Sequence, residues 1–347
     1  MSIVRPRTQR VFAMAHASEI SAARRHGQVL ADEAGIGSIQ AGKLAIAVTE
    51  AGTNILKHAV EGWLVISAAT QNGCAGVEVL ALDIGEGIAN IGQSLRDGVS
   101  TSGTAGTGLG AMRRLSDTFD LYSAPAQGTA VYMFIGAAPS TDMLPEGMMQ
   151  ALPQRLQAGA VCLPVAGEDQ CGDDWDLEQD QHGATIVVVD GLGHGPGAAT
   201  AAHAAVASVR RSADKTPITM MQAMHTALAP TRGAAAAVAR LTFNDDNLTF
   251  VGVGNITASV QDQERSQHLM SHNGIVGHNL RKAQAMPARW AVGACCILCS
   301  DGIGTQWNLN RYPGLLSCHP ALIAGVLYRD FKRLRDDATV LVIKRLN

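Results

Sequence analysis

Aspartates border apolar, strand-like runs at several places in this chain, and any fold must bring those charges to a sheet rim and keep them out of its middle. In the C-terminal half Val187-Val188-Val189 runs into Asp190-Gly191, and Ile297-Leu298-Cys299-Ser300 runs into Asp301-Gly302. Asp336-Asp337 opens the run that continues through Val340-Leu341-Val342. In the N-terminal half the run from Val77 to Leu82 ends on Asp83, followed by Gly85 and Gly87. A carboxylate at a strand end faces loops, where a rigid scaffold can offer it to a ligand.

With 347 residues the chain suits two domains, and 47% hydrophobic against 16% charged residues gives each a core. Aromatics make up only 4%, so those cores must be built from Ala, Val, Leu and Ile. A net charge of -3 gives no reason to expect nucleic acid or an anionic membrane as partner. Arg24-Arg25 and Arg210-Arg211 read as solvated helix faces. Met1 to Pro6 lacks the apolar core of a signal peptide, and no run approaches the ~18 apolar residues that span a bilayer, so the expected location is cytoplasmic. Seven unevenly spaced cysteines argue against a disulfide framework. Cys296-x-x-Cys299 has no second pair to complete a zinc site and reads as core thiols.

Periodicity predicts an opening strand within 7–15, a helix over 18–34 with Ser18 as N-cap and Gly35 as stop, and a helix over 38–58. Strands follow at 63–67 and 77–82 around a turn at Gln71-Asn72-Gly73, then a helix at 109–116 and strands at 119–123 and 130–135. Pro139, Pro145 and Pro153 mark a linker over 139–153, which separates a domain at 1–138 from one at 154–347. Beyond it, strands are expected at 160–164, 184–189, 235–242, 248–253, 295–299 and 339–343, with helices at 197–211, 218–229 and 320–331. No internal repeat is present, so the halves are different folds.

Glu50 and Asn54 lie four apart on the predicted helix and project from one face. A carboxylate beside an amide oxygen can position a hydroxyl and hold one vertex of Mg²⁺ while phosphates fill others. Asp83 can accept a hydrogen bond from an exocyclic amine, with Gly85 and Gly87 letting a purine approach the backbone. The loop from Ser102 to Gly110, through Gly106-Thr107-Gly108-Leu109-Gly110, offers N–H groups and a helix start to phosphates. The ordered set Glu50 to His58, Asp83 to Ile88 and Gly106 to Gly110, followed by Gly128-Thr129, resembles the GHKL ATPase superfamily over about residues 10–138. Gly108 to Phe119 is similar to the small serine kinases of bacterial partner switching, of the RsbT type. That resemblance implies ATP and Mg²⁺ as cofactors, Glu50 as base and Asn54 as the Mg²⁺ ligand. It also implies Asp83 at adenine, and Gly85, Gly87, Gly106, Thr107, Gly108, Leu109, Gly110 and Thr129 around the nucleotide. Anti-sigma relatives often carry an arginine just before the lid glycines, where this chain reads Thr104-Ala105-Gly106-Thr107. No phospho-acceptor histidine helix precedes the site, which disfavours a sensor histidine kinase.

In the C-terminal half, carboxylates from distant strands can gather two divalent cations, which polarise a phosphoryl group and acidify water. Oxygen ligands select Mg²⁺ or Mn²⁺ over zinc. The three strand-end motifs, with Gly167 to Asp173, Thr231 to Ala235 and Gly252 to Ile256, resemble the SpoIIE/RsbX branch of the type 2C phosphatases over about residues 155–345. By that resemblance Asp190 bridges two Mn²⁺ or Mg²⁺ and the Gly191 carbonyl binds one. Asp301 and Asp336 complete the second, Asp173 holds metal-bound water, and Asp337 is a neighbour or turn residue. The larger phosphatases place a histidine two residues after the bridging aspartate. Here Leu192 holds that position and His194 sits two further on, either as proton donor to the leaving seryl oxygen or as a loop histidine.

The expected architecture is α+β in two domains. A GHKL (Bergerat) α/β sandwich, with a mixed sheet and helices on one face, precedes a type 2C-phosphatase-like β-sandwich flanked by helices. The resemblances imply a bifunctional serine/threonine kinase and phosphatase acting on STAS-domain antagonist or scaffold proteins of a stressosome-like module. The alternative is a nucleotide-controlled binding switch towards a sigma factor or downstream phosphatase, in which only the C-terminal half is catalytic.

Overall fold

The computed structural model describes residues 2–3, 8–95, 108–137, 155–280 and 282–346. They form two compact units: one from residues 6–149 and 308–329, the other from 1–5, 150–307 and 330–347. Two short stretches therefore depart from contiguous halves. The first strand, β1 (Ser2–Ile3), goes with the second unit, where it pairs with the strand at Asp173–Gln179. Residues 308–329 go with the first.

The first unit opens with β2 (Arg10–Ala13), α1 (Ala17–Glu33) and α2 (Ser38–His58). The N-cap of α1 is His16, without a side-chain cap bond, so Ser18 lies inside the first turn instead of capping it. The helix stops where expected: Gly35 has φ +68°, and Gly35 and Ile36 return their N–H groups to Asp32 and Ala31 carbonyls. β3 (Ala59–Gln71) and β4 (Cys74–Gly85) form a hairpin whose turn residues, Asn72 and Gly73, both have positive φ, the tight form that matches strand twist. Then come α3 (Ile91–Ser94), α4 (Gly108–Leu115), β5 (Thr118–Ser123) and β6 (Thr129–Gly136).

The sheet order is β2-β3-β4-β6-β5, and every pairing is antiparallel, not the mixed sheet expected. The short turns between β3 and β4 and between β5 and β6 leave no room for a parallel crossover. One sheet face, with Leu64, Ile66, Val79, Ala81, Val131 and Met133, packs on Leu44, Val48 and Ile55 of α2 and Leu30 of α1. The other face carries Leu80, Leu82 and Tyr132. Residues 308–329 lie on it, so helices do not cover one face alone: a Cβ on Gly325 would come within 2.8 Å of both leucines, and the His319 ring stacks on Tyr132 at 3.9 Å.

In the second unit the strands and helices run in order as β7 (Leu156–Leu163), β8 (Asp173–Gln179), β9 (Gly183–Gly191), α5 (Pro196–Arg211), α6 (Pro217–Leu228), β10 (Ala234–Thr242) and β11 (Asn247–Val253). They continue as β12 (Thr257–Gln261), β13 (Ser266–Leu269), β14 (Met286–Arg289) and β15 (Cys295–Cys299). The last elements are α7 (Pro320–Phe331), most of which lies in the first unit, and β16 (Ala338–Arg345). A sheet ordered β1-β8-β9-β10-β11-β14 faces one ordered β13-β12-β15-β16-β7.

Alternation decides which side each residue serves. Ile186 and Val188 join Leu298, Leu341 and Ile343 between the sheets, while Val187 and Val189 meet Ala202, Val206 and Met224 of the helices behind. Cys295, Cys296 and Cys299 are buried in β15, where burial pushes Cys295 up to about 11, in keeping with core thiols.

Candidate functional sites

In the first unit, α2 sets Glu50 and Asn54 one turn apart, and the start of α4 lies directly against both. A Cβ on Gly108 would stand 3.2 Å from Glu50 Oε2 and 3.2 Å from Asn54 Oδ1 and Nδ2. Glycine at this position lets the helix begin against the carboxylate–amide pair without displacing either side chain. Leu109 packs on the core behind, and Gly110 is buried. Gly106 and Thr107 lie outside the described residues.

Asp83, at the end of β4, forms a second cluster with the loops 85–88 and 124–129. Thr129 N–H donates to Asp83 Oδ1 at 3.0 Å. Burial raises the Asp83 carboxyl above the usual range, opposed by that bond and by the positive charges of Arg329 and His58. Gly128 N–H donates to Gly85 O and Ala126 N–H to Glu86 O, which laces the two loops together. Ser123 Oγ accepts from Ile88 N–H at 2.8 Å, donates to Gly128 O at 2.8 Å and lies 3.0 Å from Thr129 Oγ1. Gly87 (φ +71°) and Gly128 (φ +69°) are in the left-handed region, and a Cβ on either would collide with a neighbouring carbonyl. The result is a fixed aspartate floored by backbone.

In the second unit the acids of four strand ends meet. Asp190, at the end of β9, is in register with Asp173 at the start of β8. Asp301, just past β15, lies within hydrogen-bonding contact of both Asp190 and Asp336. Burial and the like charges of Asp173, Asp301 and Asp336 push the Asp190 carboxyl up to about 9. Asp173 is buried, accepts from Ser300 Oγ at 2.6 Å, and is pushed up to about 7, chiefly by burial. Asn255 Nδ2 donates to Asp301 Oδ2 at 2.5 Å. Asp337 is different: its two oxygens accept from Val165 N–H and Gly172 N–H, both at 2.8 Å, so it braces the loop before Asp173. Gly191 donates its N–H to Gly172 O at 3.1 Å, and a Cβ there would collide with Ala198.

Carboxylates this close to one another need protons or cations between them. Among the described residues, no three His, Cys, Asp or Glu side chains close on a metal-sized cage; the acids touch one another instead. Charge and donor type nonetheless fit hard divalent cations, because every donor is an oxygen.

His194 Nδ1 donates to Glu168 Oε1 at 2.7 Å, and Glu168 sits against Gly195 at the start of α5. The loop histidine is thus tied to an acid at a helix N-terminus, a favourable place for negative charge. Two functional candidates escaped the sequence reading. Asn255 belongs to the Gly252–Ile256 stretch, read there only as a motif. The exposed Arg232 lies over the turn after Asp190: a Cβ on Gly197 would be 2.8 Å from its Cζ, and one on Gly193 would be 3.3 Å from Nη1. Its signal in the sequence is an arginine directly before Gly233, which enters β10, the strand beside β9, with φ +84°.

Residues 13–135 match the histidine kinase-like ATPase domain family. Over 113 residues, 33% of this chain and 85% of the relative, the sequence is 36% identical to serine/threonine-protein kinase RsbT of Bacillus subtilis. The chain belongs to the RsbT family. To that RsbT-type domain it joins residues 180–346, which match the stage II sporulation protein E (SpoIIE) family. This part is 24% identical to phosphoserine phosphatase RsbX of Bacillus subtilis over 151 residues, 43% of this chain and 76% of the relative. A solved structure from work on the bacterial stressosome as a modular system adapted to secondary messenger signalling matches 55% of this chain and all of its own, with 26% identity and a TM-score of 0.52. Both resemblances read from the motifs hold at the level of family and fold. Among the described residues, no helix is long and apolar enough to cross a membrane.

Proposed function

We propose that the chain is a bifunctional switch that phosphorylates STAS-domain proteins on serine or threonine with ATP and removes the same kind of phosphoryl group. The observation that carries this reading is the pairing in one chain of two sites of opposite chemistry. Glu50 and Asn54 stand against the first residue of α4, and Asp190, Asp301 and Asp336 converge from separate strands.

In the first unit Glu50 takes the proton of the substrate hydroxyl as its oxygen bonds to the γ-phosphorus and ADP leaves. Asn54 would hold one vertex of Mg²⁺, and Asp83 would accept from the adenine amine over the floor of Gly85, Gly87 and Thr129. Backbone N–H groups at the start of α4, from Gly108 to Gly110, would add to the phosphate cradle.

In the second unit Asp190, the Gly191 carbonyl, Asp301 and Asp336 would hold two Mn²⁺ or Mg²⁺, which supply Lewis acidity when bound. Asp173 holds and orients water, kept in place by Ser300. Asn255 fixes Asp301. Water attacks the phosphorus, the seryl oxygen leaves with a proton, and inorganic phosphate is released.

The test is to incubate candidate STAS proteins with ATP and Mg²⁺ and compare wild type with Glu50→Ala. Loss of phosphoryl transfer by roughly 100-fold or more with nucleotide binding intact is expected for a general base. No transfer by wild type, with nucleotide still bound, would overturn the kinase reading and favour a nucleotide-controlled binding switch.

A further inference from the structure

Residues 308–329 lie outside the stretch matched to the ATPase domain, 13–135, yet belong to the same compact unit. Specific contacts hold them there. Gln127 Nε2 donates to Arg311 O at 2.9 Å, and the backbone N–H of His319 donates to Asp120 Oδ2 at 2.6 Å. His319 stacks on Tyr132, Gly325 fits between Leu80 and Leu82, and residues 320–329 are all buried.

At the end of this segment stands Arg329, only 5% exposed. Its Nη1 donates to the backbone carbonyl of Asp83 at 2.9 Å. The same nitrogen would be 3.1 Å from a Cβ on Gly128, the residue before Thr129, whose N–H donates to Asp83 Oδ1. A guanidinium cannot shed its charge, and burying one is costly unless anionic or carbonyl oxygens receive it. Here the carbonyl is that of the strand-end aspartate, and the charge acts on its carboxylate.

We infer that Arg329 is a positioning residue for the nucleotide site: it clamps the Asp83 peptide and, through its charge, keeps the Asp83 carboxyl ionised as the acceptor for a purine's exocyclic amine. This rests on the reading of Asp83 as the adenine contact. The ATPase-type unit is then incomplete without α7, a helix encoded some 200 residues downstream of the matched domain (α7 begins at Pro320, the match ends at residue 135).

The experiment uses the full chain with Mg²⁺ and titrates two non-hydrolysable nucleotides, an ATP analogue and its purine riboside counterpart, which lacks the exocyclic amine. A hydrogen bond to a charged acceptor is worth roughly 10- to 100-fold in affinity, so wild type should prefer the adenine compound by at least about tenfold. In Arg329→Met the adenine compound should weaken about tenfold while the amine-free compound changes less than twofold, which collapses the preference. Arg329→Lys should restore part of it. An equal loss for both compounds, or no loss for either, overturns the inference, because a merely structural role would not touch the ratio.

Wild type without any preference would instead overturn the reading of Asp83, and the inference with it, while leaving phosphoryl transfer through Glu50 standing. Asp83→Asn, expected to match Arg329→Met in the ratio, separates these cases. If methionine prevents folding, Arg329→Gln and Arg329→Lys carry the same comparison.

Discussion

The proposed nucleotide site keeps its two acids apart, Glu50 on a helix and Asp83 at a strand end, with glycines and backbone N–H groups around them. The acidic site crowds Asp173, Asp190, Asp301 and Asp336 into one place with little to neutralise them. Asp83 has Thr129 N–H, Arg329 and His58 working against its burial, whereas the first two influences on Asp190 after burial are further aspartates. In the proposed reading the first site receives a polyanion and the second receives cations; without cations the crowded acids of the second hold protons, as the raised carboxyls of Asp173 and Asp190 do.

The sharpest way to break this contrast is Asp190→Asn. Removing the most crowded carboxylate should lower turnover of a phospho-STAS protein by more than about 100-fold, since even outer partners of a metal ligand are worth 10–100-fold. In metal-free buffer near neutral pH the same variant should melt higher than wild type, because the folded chain no longer has to hold on Asp190 a proton that the unfolded chain releases. Nucleotide affinity should stay within about twofold of wild type. Calorimetry with and without Mn²⁺ reads both effects, and a lower metal-free melting temperature would show that the cluster is not under repulsion.

A smaller effect is expected from Arg232→Ala. Its guanidinium overlies the Gly193–Gly197 turn after Asp190, and in the proposed phosphatase reading it would meet the dianionic phosphoryl group. KM for the phosphoprotein should rise about tenfold with kcat changed far less, the signature of lost uniform binding. An unchanged KM would confine Arg232 to bracing the turn.

The fold was legible wherever apolar periodicity was clean. α2 begins and ends as read, and α5 to α7 differ by a residue or less at either end. β8 was missed because Asp173-Asp174-Trp175-Asp176 does not look like buried strand. Its charges are paired out of sight of the local sequence: Asp176 takes a fork from Arg210 Nε and Nη2, Asp173 takes Ser300 Oγ, and Asp174 takes Trp175 N–H. Arg210 is exposed, as its reading as a solvated helix face expects, and from there it also forks onto the buried Asp176. The motifs placed Asp190, Asp301 and Asp336 in one cluster, but no spacing reveals that Asp337, one residue on, spends both oxygens on Val165 and Gly172. Arg329 was illegible for the same reason: 246 positions separate it from Asp83, and only the packing of α7 joins them.

That packing face also carries an acid of a third kind, neither liganding nor crowded. Glu78 of β4 is wholly buried, with Tyr132 OH donating to Oε2 at 2.9 Å and Ser67 Oγ to Oε1 at 3.4 Å. Burial pushes its carboxyl up to about 7 from 4.5, against the pull of both hydroxyls. Between those values the folded chain holds on Glu78 a proton that the unfolded chain has released, so this group's contribution to stability is full below about pH 4.5 and is lost as pH rises through 7. For a buried group the loss over that window is of order 3 kcal/mol. Glu78→Gln carries no charge at any pH and keeps an acceptor for Tyr132. The difference in melting temperature between pH 5 and pH 8 should therefore shrink in the variant by roughly 5 °C. Parallel pH–stability curves for the two proteins would mean that Glu78 is already ionised in the folded chain. In that case the first unit, like the second, would hold a buried negative charge, and the contrast between them would lie in the number of acids and not in their state.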